Sequence, residues 1–147
     1  MIVLDTTILA YAVGADHELR DRCRAVVEAI QSGRLLATTT PEVIQEFTHI
    51  RARRHGRAEA VARARDYVAL LSPLLSVDET MIAMGLYLYE RTPALGAFDA
   101  ILCGAAIAAG ATTIISADRG FAAVEGLTHI DPASSTVDAW LETAART

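Results

Sequence analysis

The chain has 147 residues, of which 52% are hydrophobic and 21% charged, and its formal net charge is −5. This length fits one compact domain, which we expect to span residues 1–147, and the composition excludes a disordered or fibrous protein. All thirteen basic residues are Arg, and the absence of Lys disfavours P-loop ATPases and Schiff-base enzymes, whose chemistry uses a lysine.

Short apolar segments alternate with helical patterns along the chain. The segments are bounded by turn residues, which indicates strands, whereas apolar residues three or four apart indicate helices. The predicted elements are a strand at 2–4, helices at 8–13 and 17–30, a strand at 34–39, helices at 42–50, 57–71, 77–89 and 98–109, and strands at 113–115 and 127–130. This alternation predicts a three-layer α/β/α domain with a mostly parallel sheet.

Polar residues mark the starts of several predicted helices. Thr6 or Thr7 is the expected cap of the first helix. Thr40 is the expected cap of the third, because Pro41 follows it at the position where proline opens helices. Ser76 or Asp78 is expected near the start of the helix at 77–89.

Four acidic residues lie close to predicted strand ends, or in the helices next to them, where parallel sheets bind ligands. Asp5 directly follows the first strand, and Asp118 follows the third strand two residues after Ser116. Asp99 lies in the first turn of a very apolar helix, and Glu46 lies in the helix after the second strand. Each acid alone is also explained as a helix cap, a turn residue or a solvated side chain. Because ligands bind at the carboxyl ends of parallel strands, we expect the four to converge.

Clustered carboxylates in apolar surroundings need a compensating charge. Mg²⁺ and Mn²⁺ prefer oxygen ligands, and carboxylates supply these without His or Cys. The four histidines show no metal-ligand spacing, which argues against a zinc site. An acidic cluster of this kind indicates metal-assisted cleavage of phosphodiester bonds.

The sequence resembles PIN-domain endoribonucleases, and most closely the VapC-type toxins of bacterial toxin–antitoxin pairs. The matching segments are IVLDTTILAYA, PEVIQEF and FDAILCGAAIAAGATTIISADRGF, and the resemblance covers nearly the whole chain. Phe98 stands where many relatives carry Arg, and Ser116 where many carry Thr.

The resemblance implies Mg²⁺- or Mn²⁺-dependent hydrolysis of RNA on a Rossmann-like sheet. It implies that Asp5, Glu46, Asp99 and Asp118 are the catalytic acids. Asp5 and Asp99 would be the main metal ligands, and Asp118 is the third expected ligand.

The resemblance also implies supporting residues and partners. Thr7 and Ser116 would donate hydrogen bonds within the acidic pocket. The expected partners are a cognate VapB-type antitoxin, an RNA substrate and a second copy of the chain in a homodimer.

A basic segment follows Glu46. Six arginines and Glu59 give residues 51–65 a charge of +5. The arginines expected to bind RNA or the antitoxin are Arg51, Arg53, Arg54 and Arg57. Arg binds phosphate in a bidentate manner, so the segment suits an RNA backbone. An acidic antitoxin segment and a merely solvated helical face are the other interpretations.

The helix at 77–89 is apolar on much of its surface. Its apolar residues are Met81, Ile82, Gly85, Leu86, Leu88 and Tyr89. We assign this surface to the core by default. An exposed face used for dimerisation is the alternative.

The sequence predicts a cytoplasmic protein with no membrane partner. No apolar run reaches the roughly 18 residues that cross a bilayer. The first residues lack the basic segment of a signal peptide. Cys23 and Cys103 lie far apart and are expected to be buried, reduced thiols.

Two other functions remain as alternatives. An aspartyl-phosphate phosphatase would use Asp5 as its nucleophile, but such enzymes carry a second Asp where Thr7 stands and need a phosphate-binding Lys. A PIN fold that only binds RNA or a protein, or that matures RNA without acting as a toxin, is the second alternative.

Overall fold

A computed structural model describes the backbone of residues 1–144 and the side chains of residues 1–140. The elements are β1 (Ile2–Leu4), α1 (Thr6–Ala12), α2 (Arg20–Gln31), β2 (Ala37–Thr38), α3 (Pro41–His55), α4 (Arg57–Leu71), α5 (Glu79–Arg91), α6 (Ala97–Ala108), β3 (Thr113–Ile115), a 3-10 helix (Arg119–Ala123), β4 (Thr128–Ile130) and α7 (Ser135–Ala144).

The four strands form one wholly parallel sheet in the order β2-β1-β3-β4. Ile2 of β1 is in register with Ala37 on one side and with Thr113 on the other. The chain therefore adds β2 on one side of β1, and then β3 and β4 on the other side. The point where the strand order reverses, called the switch point, lies between β1 and β3. The carboxyl ends of strands at such a point form the ligand-binding edge of a parallel sheet.

Helices cover both faces of the sheet. Val3 and Leu4 in β1, and Ile114 and Ile115 in β3, have no exposed surface. Since successive strand residues point to opposite faces, complete burial of neighbours requires cover on both sides. The predicted α/β/α class is confirmed, and so is the burial of Cys23 and Cys103, whose thiol pKa values burial raises to about 12.

Several boundaries differ from the predicted ones for local reasons. The first helix begins at Thr6, because Asp5 and not a threonine is its cap. α2 begins at Arg20 and not at residue 17, and the His17 Nδ1 atom accepts the Leu19 N–H in the preceding turn. α3 continues to His55, where it stops at Gly56 with φ of 85°. The second strand is shorter than predicted.

Two helices, α5 and α7, differ from the prediction made from the sequence. In α5, Gly85 is buried, and Met81 and Leu88 are half-buried, with Leu88 packed against the core. Ile82, Leu86 and Tyr89 are exposed, so the assignment of this helix surface to the core is wrong for that half of it. α7 was not predicted. Arg22 of α2 anchors it through Asp138, with 2.6 Å between Nη2 and Oδ1.

Within residues 1–144, no helix is both long enough and apolar enough to cross a membrane.

Candidate functional site

The acidic side chains gather at the carboxyl ends of β1 and β3. The Asp5 N–H donates to the Ile115 carbonyl at 3.1 Å, which extends the β1–β3 pairing to the point where both strands end. From there the chain turns into α1 after β1 and into the 3-10 helix after β3. The switch point of the sheet thus positions two of the predicted acids.

Asp5 is held in place by three hydrogen-bond donors on one carboxylate oxygen. Its Oδ2 atom accepts from the Thr7 hydroxyl at 2.7 Å, from the Ser116 hydroxyl at 2.7 Å and from the Thr7 N–H at 3.2 Å. Asp5 is 4% exposed. Asp5 is therefore both the cap of α1 and a side chain fixed in orientation.

Ser116 links Asp5 to Asp118. While its hydroxyl donates to Asp5, its oxygen accepts the Asp118 N–H at 2.9 Å. Asp118 in turn caps the 3-10 helix, because its Oδ1 atom accepts the Gly120 N–H at 2.7 Å. The Ser116 side chain is completely buried, so the hydroxyl has no access to water. The two expected supporting residues, Thr7 and Ser116, therefore both contact Asp5.

Glu46 comes from α3 and reaches the same place. Its Oε2 atom accepts the Thr6 hydroxyl at 2.5 Å. Thr40 caps α3 as predicted, with Pro41 in the first turn. The cap fixes the start of the helix, and Glu46 then lies on the helix face that looks towards α1.

Asp99 lies in the first turn of α6 and completes the group of four. Burial raises its pKa from 3.8 to about 7, and the negative charges of Asp5, Asp118 and Glu46 add to this increase. A backbone hydrogen bond from Gly96 lowers the pKa by a smaller amount. The raised pKa reports that the four predicted acids share one electrostatic environment.

A cleft runs over these acids and has two compartments. Asp5, Thr6, Glu46 and Asp99 line both of them. The polar compartment, of about 440 Å³, also contains Asp118. The further residues that line it are Thr7, Ala10, Tyr11, Gly14, Ala15, Asp16, His17, Ile50 and Arg54.

The apolar compartment holds about 300 Å³. Its wall is built by Val43, Val77, Ile82, Phe98, Ile101 and Leu102. Phe98 is 81% exposed although it is a large aromatic residue. The acids therefore separate a charged half of the cleft from a hydrophobic half.

The donor set fits a hard divalent cation. It contains four carboxylates, and none of them forms an ion pair with Arg or His within the described part of the chain. In residues 1–140, no three His, Cys, Asp or Glu side chains are arranged closely enough to hold a metal ion as they stand. Acids without a basic partner, of which Asp99 has a raised pKa, are nevertheless the environment that a cation stabilises.

The four arginines expected to bind RNA or antitoxin lie in different surroundings. Arg54 lines the polar compartment. Arg53 and Arg57 are exposed outside both compartments. Arg51 has a 12% exposed side chain, and its guanidinium donates to both oxygens of Glu59 at 2.6 Å and to the Val13 carbonyl at 2.8 Å. Its donors are thus committed to internal contacts.

Three residues of the polar compartment were not predicted from the sequence as part of the site. Thr6 was considered only as a cap, and it binds Glu46. Tyr11 and His17 were assigned no role, yet their rings stack with 4.2 Å between centroids and 15° between planes. Tyr11 lies one helical turn after Thr7, which is a signal that it shares the face of α1 turned to the cleft.

The chain is similar to several known proteins. The family model described as PIN domain matches residues 2–127. Ribonuclease VapC7 of Mycobacterium tuberculosis is 50% identical over 133 residues, which cover 90% of this chain and 92% of that protein. Ribonuclease VapC23 of the same species is 30% identical and covers 83% of this chain and 96% of its own.

Two solved structures share the fold. Mycobacterium tuberculosis VapC20, a sarcin-ricin loop cleaving toxin, superposes with a TM-score of 0.68 at 17% identity, covering 86% of this chain and 98% of its own. VapBC2 from Rickettsia felis, bound to a DNA fragment from its promoter, gives a TM-score of 0.70 at 16% identity, covering 89% and 98%.

Proposed function

Because this chain belongs to the PIN-domain family, as one of its VapC ribonucleases, we propose that its acidic cleft hydrolyses RNA phosphodiester bonds with Mg²⁺ or Mn²⁺ bound. The convergence of Asp5, Glu46, Asp99 and Asp118 on one cleft is the observation that carries the proposal. We take residues 1–147 as a single PIN domain.

We assign Asp5, Asp99 and Asp118 as the residues that hold the cation. A cation held there would supply a water of lowered pKa and would offset charge on the phosphate. Asp5 is oriented by its hydroxyl donors, so it presents its remaining oxygen, Oδ1, to the cleft. Asp118 keeps one oxygen in the cap of the 3-10 helix and has the other available.

Glu46, Thr7 and Ser116 complete the proposed machinery. Glu46 retains Oε1 for a water molecule while Oε2 accepts from Thr6. Thr7 and Ser116 fix the orientation of Asp5 through their hydroxyl hydrogen bonds, which lowers the cost of assembling the site around the phosphate.

The proposed protein partner is a VapB-type antitoxin. The apolar compartment and the exposed Phe98 offer a hydrophobic surface next to the acids. A segment bound there would exclude RNA from the acids. Arg53, Arg54 and Arg57 stay candidates for contact with RNA or with the antitoxin. Since the substrate is RNA, we expect the protein to act in the cytoplasm.

The direct test is cleavage of total cellular RNA by the purified protein without antitoxin. Reactions contain Mg²⁺, Mn²⁺ or EDTA, and Asp5→Ala and Asp99→Ala variants are run in parallel. We expect discrete fragments with either cation, none with EDTA, and a loss of at least 100-fold in both variants because each removes a proposed ligand.

The matched control is Asp66→Ala, which removes an exposed acid of α4 outside the cleft. It should cleave like the wild type. Equal cleavage by Asp5→Ala and wild type, or full activity in EDTA, would contradict the proposal. A folded protein that binds RNA without cutting it would favour a binding role for the fold.

A further inference from the structure

The stacked rings of Tyr11 and His17 form an aromatic platform in the polar compartment of the cleft. Tyr11 is half-buried at the end of α1 and packs against the core. His17 is exposed and lies over it with nearly parallel planes. One face of the His17 ring is covered by Tyr11, so a stacking ligand would use the opposite face of this exposed side chain.

Local contacts hold His17 in this position. The Nδ1 atom of His17 accepts the Leu19 N–H at 3.1 Å, which fixes the ring in the turn before α2. At the other end of the loop, Gly14 packs closely against the last turn of α1, since a Cβ atom there would lie 3.0 Å from the Ala10 carbonyl oxygen. The platform is therefore preorganised, which reduces the conformational entropy lost when a ligand stacks on it.

The charges around the platform suit a nucleotide. Asp16 lies beside it, but its Oδ1 atom pairs with Arg20 Nη1 at 2.5 Å, which compensates its negative charge. Arg54 lines the same compartment and forms no ion pair with any described residue. Its guanidinium is thus available to a phosphate.

We propose that the Tyr11–His17 stack is a base-binding subsite, on which an unpaired RNA base next to the cleaved phosphodiester stacks. This inference rests on the proposed ribonuclease function and adds the residues that would position the substrate. A base inside a duplex has both faces covered by its neighbours, whereas an unpaired base offers a free face to an aromatic ring. The cleft accordingly takes single-stranded RNA or a looped-out nucleotide. Tyr11 and His17 are positioning residues.

The test separates ring stacking from local structure with two substitutions of His17. His17→Asn removes the ring but keeps an oxygen that accepts the Leu19 N–H, as in an Asx turn. His17→Phe keeps the ring but loses that acceptor. His49→Asn is the matched control, because His49 is an exposed histidine of α3 outside the cleft.

The probe is a single-stranded RNA oligonucleotide that spans a cleavage site mapped in total RNA. In a set of derivatives, one base at a time is replaced by an abasic residue, and kcat/KM is measured with each variant. In the wild type we expect one abasic position to lower kcat/KM by roughly 5- to 100-fold, the range of a lost base–aromatic stack. His17→Asn should lose a similar factor on intact RNA and become insensitive to that position.

A second readout does not depend on cleavage. 2-Aminopurine placed at the sensitive position loses fluorescence when it stacks. We expect this quenching with the wild type, His17→Phe and His49→Asn, and a much weaker effect with His17→Asn. Rescue by Phe identifies the ring as the required group.

Two results would overturn the inference. In the first, His17→Asn cleaves intact RNA like the wild type. In the second, His17→Asn and His17→Phe lose activity equally on every derivative, which identifies a structural role for the local hydrogen bond. If the wild type itself cleaves no RNA, the proposed function fails, and the base subsite fails with it.

Discussion

At the residue scale, the site is organised around one oxygen of Asp5. Two hydroxyls and a backbone N–H converge on it, and one of the hydroxyls, from Ser116, also accepts the Asp118 N–H. Charge-assisted hydrogen bonds to a buried carboxylate are stronger than bonds between neutral groups. One serine therefore fixes the relative positions of two acids that lie more than a hundred residues apart.

Asp99 lies in an environment that disfavours its charged form, because burial and the neighbouring acids raise its pKa to about 7. The free energy of unfolding should therefore depend on pH. Below about pH 4, Asp99 is protonated in both the folded and unfolded states. Between about pH 4 and 7, the unfolded chain releases the proton and the folded protein retains it. The free energy of unfolding of the metal-free protein should thus fall as the pH rises through this window, and Asp99 should add no further change above it.

We predict that Asp99→Asn stabilises the metal-free protein at pH 8 by about 1–2 kcal/mol after allowance for solvent screening, and that it has no effect at pH 4. Urea unfolding in EDTA at both pH values measures this difference. Adding Mg²⁺ should stabilise the wild type and leave the variant unchanged. A variant less stable than wild type at pH 8 would show that the acids do not repel one another.

At the element scale, two glycines allow α5 and α6 to cross in close contact. A Cβ atom on Gly104 would lie 2.5 Å from the Met81 carbonyl oxygen and 2.6 Å from the Gly85 nitrogen. A Cβ atom on Gly85 would lie 2.7 Å from the Ile101 Cα atom. Because these neighbours are backbone atoms, they cannot move aside as a side chain can. The crossing positions α6 and, at its first turn, Asp99.

We predict that Gly104→Ala destabilises the protein by about 1–3 kcal/mol, the cost of overpacking. Gly→Ala inside a helix otherwise stabilises by roughly 0.5–1 kcal/mol, so the sign itself is informative. Cleavage should also fall, because α6 must move and Asp99 moves with it. Ala108→Gly, on the exposed side of the same helix, provides the control: it should be mildly destabilised but fully active.

The arginines of the basic segment differ in what they contact. Arg51 forms hydrogen bonds within the fold, whereas Arg54 lines the cleft and can bind a ligand. Arg51 joins α3 to α4 through Glu59, and its hydrogen bonds lower the pKa of Glu59 from 4.5 to about 2. A carboxylate with a lowered pKa stabilises the fold above about pH 4.5, and the effect is lost as the pH falls towards 2. Arg54 has no such role and lines the cleft.

We predict opposite consequences for two substitutions in this segment. Arg54→Gln should weaken RNA binding and lower the slope of log affinity against log salt by about 1, with no change in stability. Arg51→Gln should lower stability at neutral pH, and the difference should shrink below pH 4. Salt titrations of RNA binding and thermal unfolding at two pH values distinguish the two. An unchanged salt slope for Arg54→Gln would place this side chain outside the RNA path.

At the scale of the whole molecule, α5 presents an exposed apolar surface. Its large exposed side chains are Ile82, Met84, Leu86, Tyr87 and Tyr89. Burying such a surface against a second copy would remove it from water, which is the usual origin of an isologous dimer interface. The homodimer remains a prediction, and this face is its best-supported interface.

We predict that Leu86→Glu shifts the protein from dimer to monomer in sedimentation-equilibrium experiments. Leu86 is 56% exposed, so the charge should not disturb the fold of the single chain. The control is Leu36→Glu at another exposed leucine, 81% exposed and adjacent to β2, which should leave the oligomeric state unchanged. A dimer that survives Leu86→Glu would place the interface elsewhere.

Much of the architecture was determined by the sequence itself. The strands are apolar throughout, so both faces of the sheet must be covered by helices. Because the strands also alternate with helices along the chain, a parallel sheet is the arrangement that fits. Asp5 directly after β1 and Asp118 shortly after β3 were assigned to one edge, because parallel strands all end on the same side. The resemblance to PIN-domain ribonucleases depended on the same residues, together with Glu46 and Asp99.

Only the tertiary structure decided which side chains meet. Sequence spacing cannot show that Ser116 connects Asp5 to Asp118. Nor can it show that Arg51 forms hydrogen bonds with Glu59, or that the His17 ring stacks on Tyr11. Nor does an apolar pattern reveal whether a helix surface such as that of α5 is covered, since burial depends on what packs against it. The Ser116–Asp5 contact joins residues 111 positions apart, whereas Arg51–Glu59 and Tyr11–His17 each join one helix to the segment that follows it. The geometry of all three depends on how whole elements pack, which local preferences do not encode.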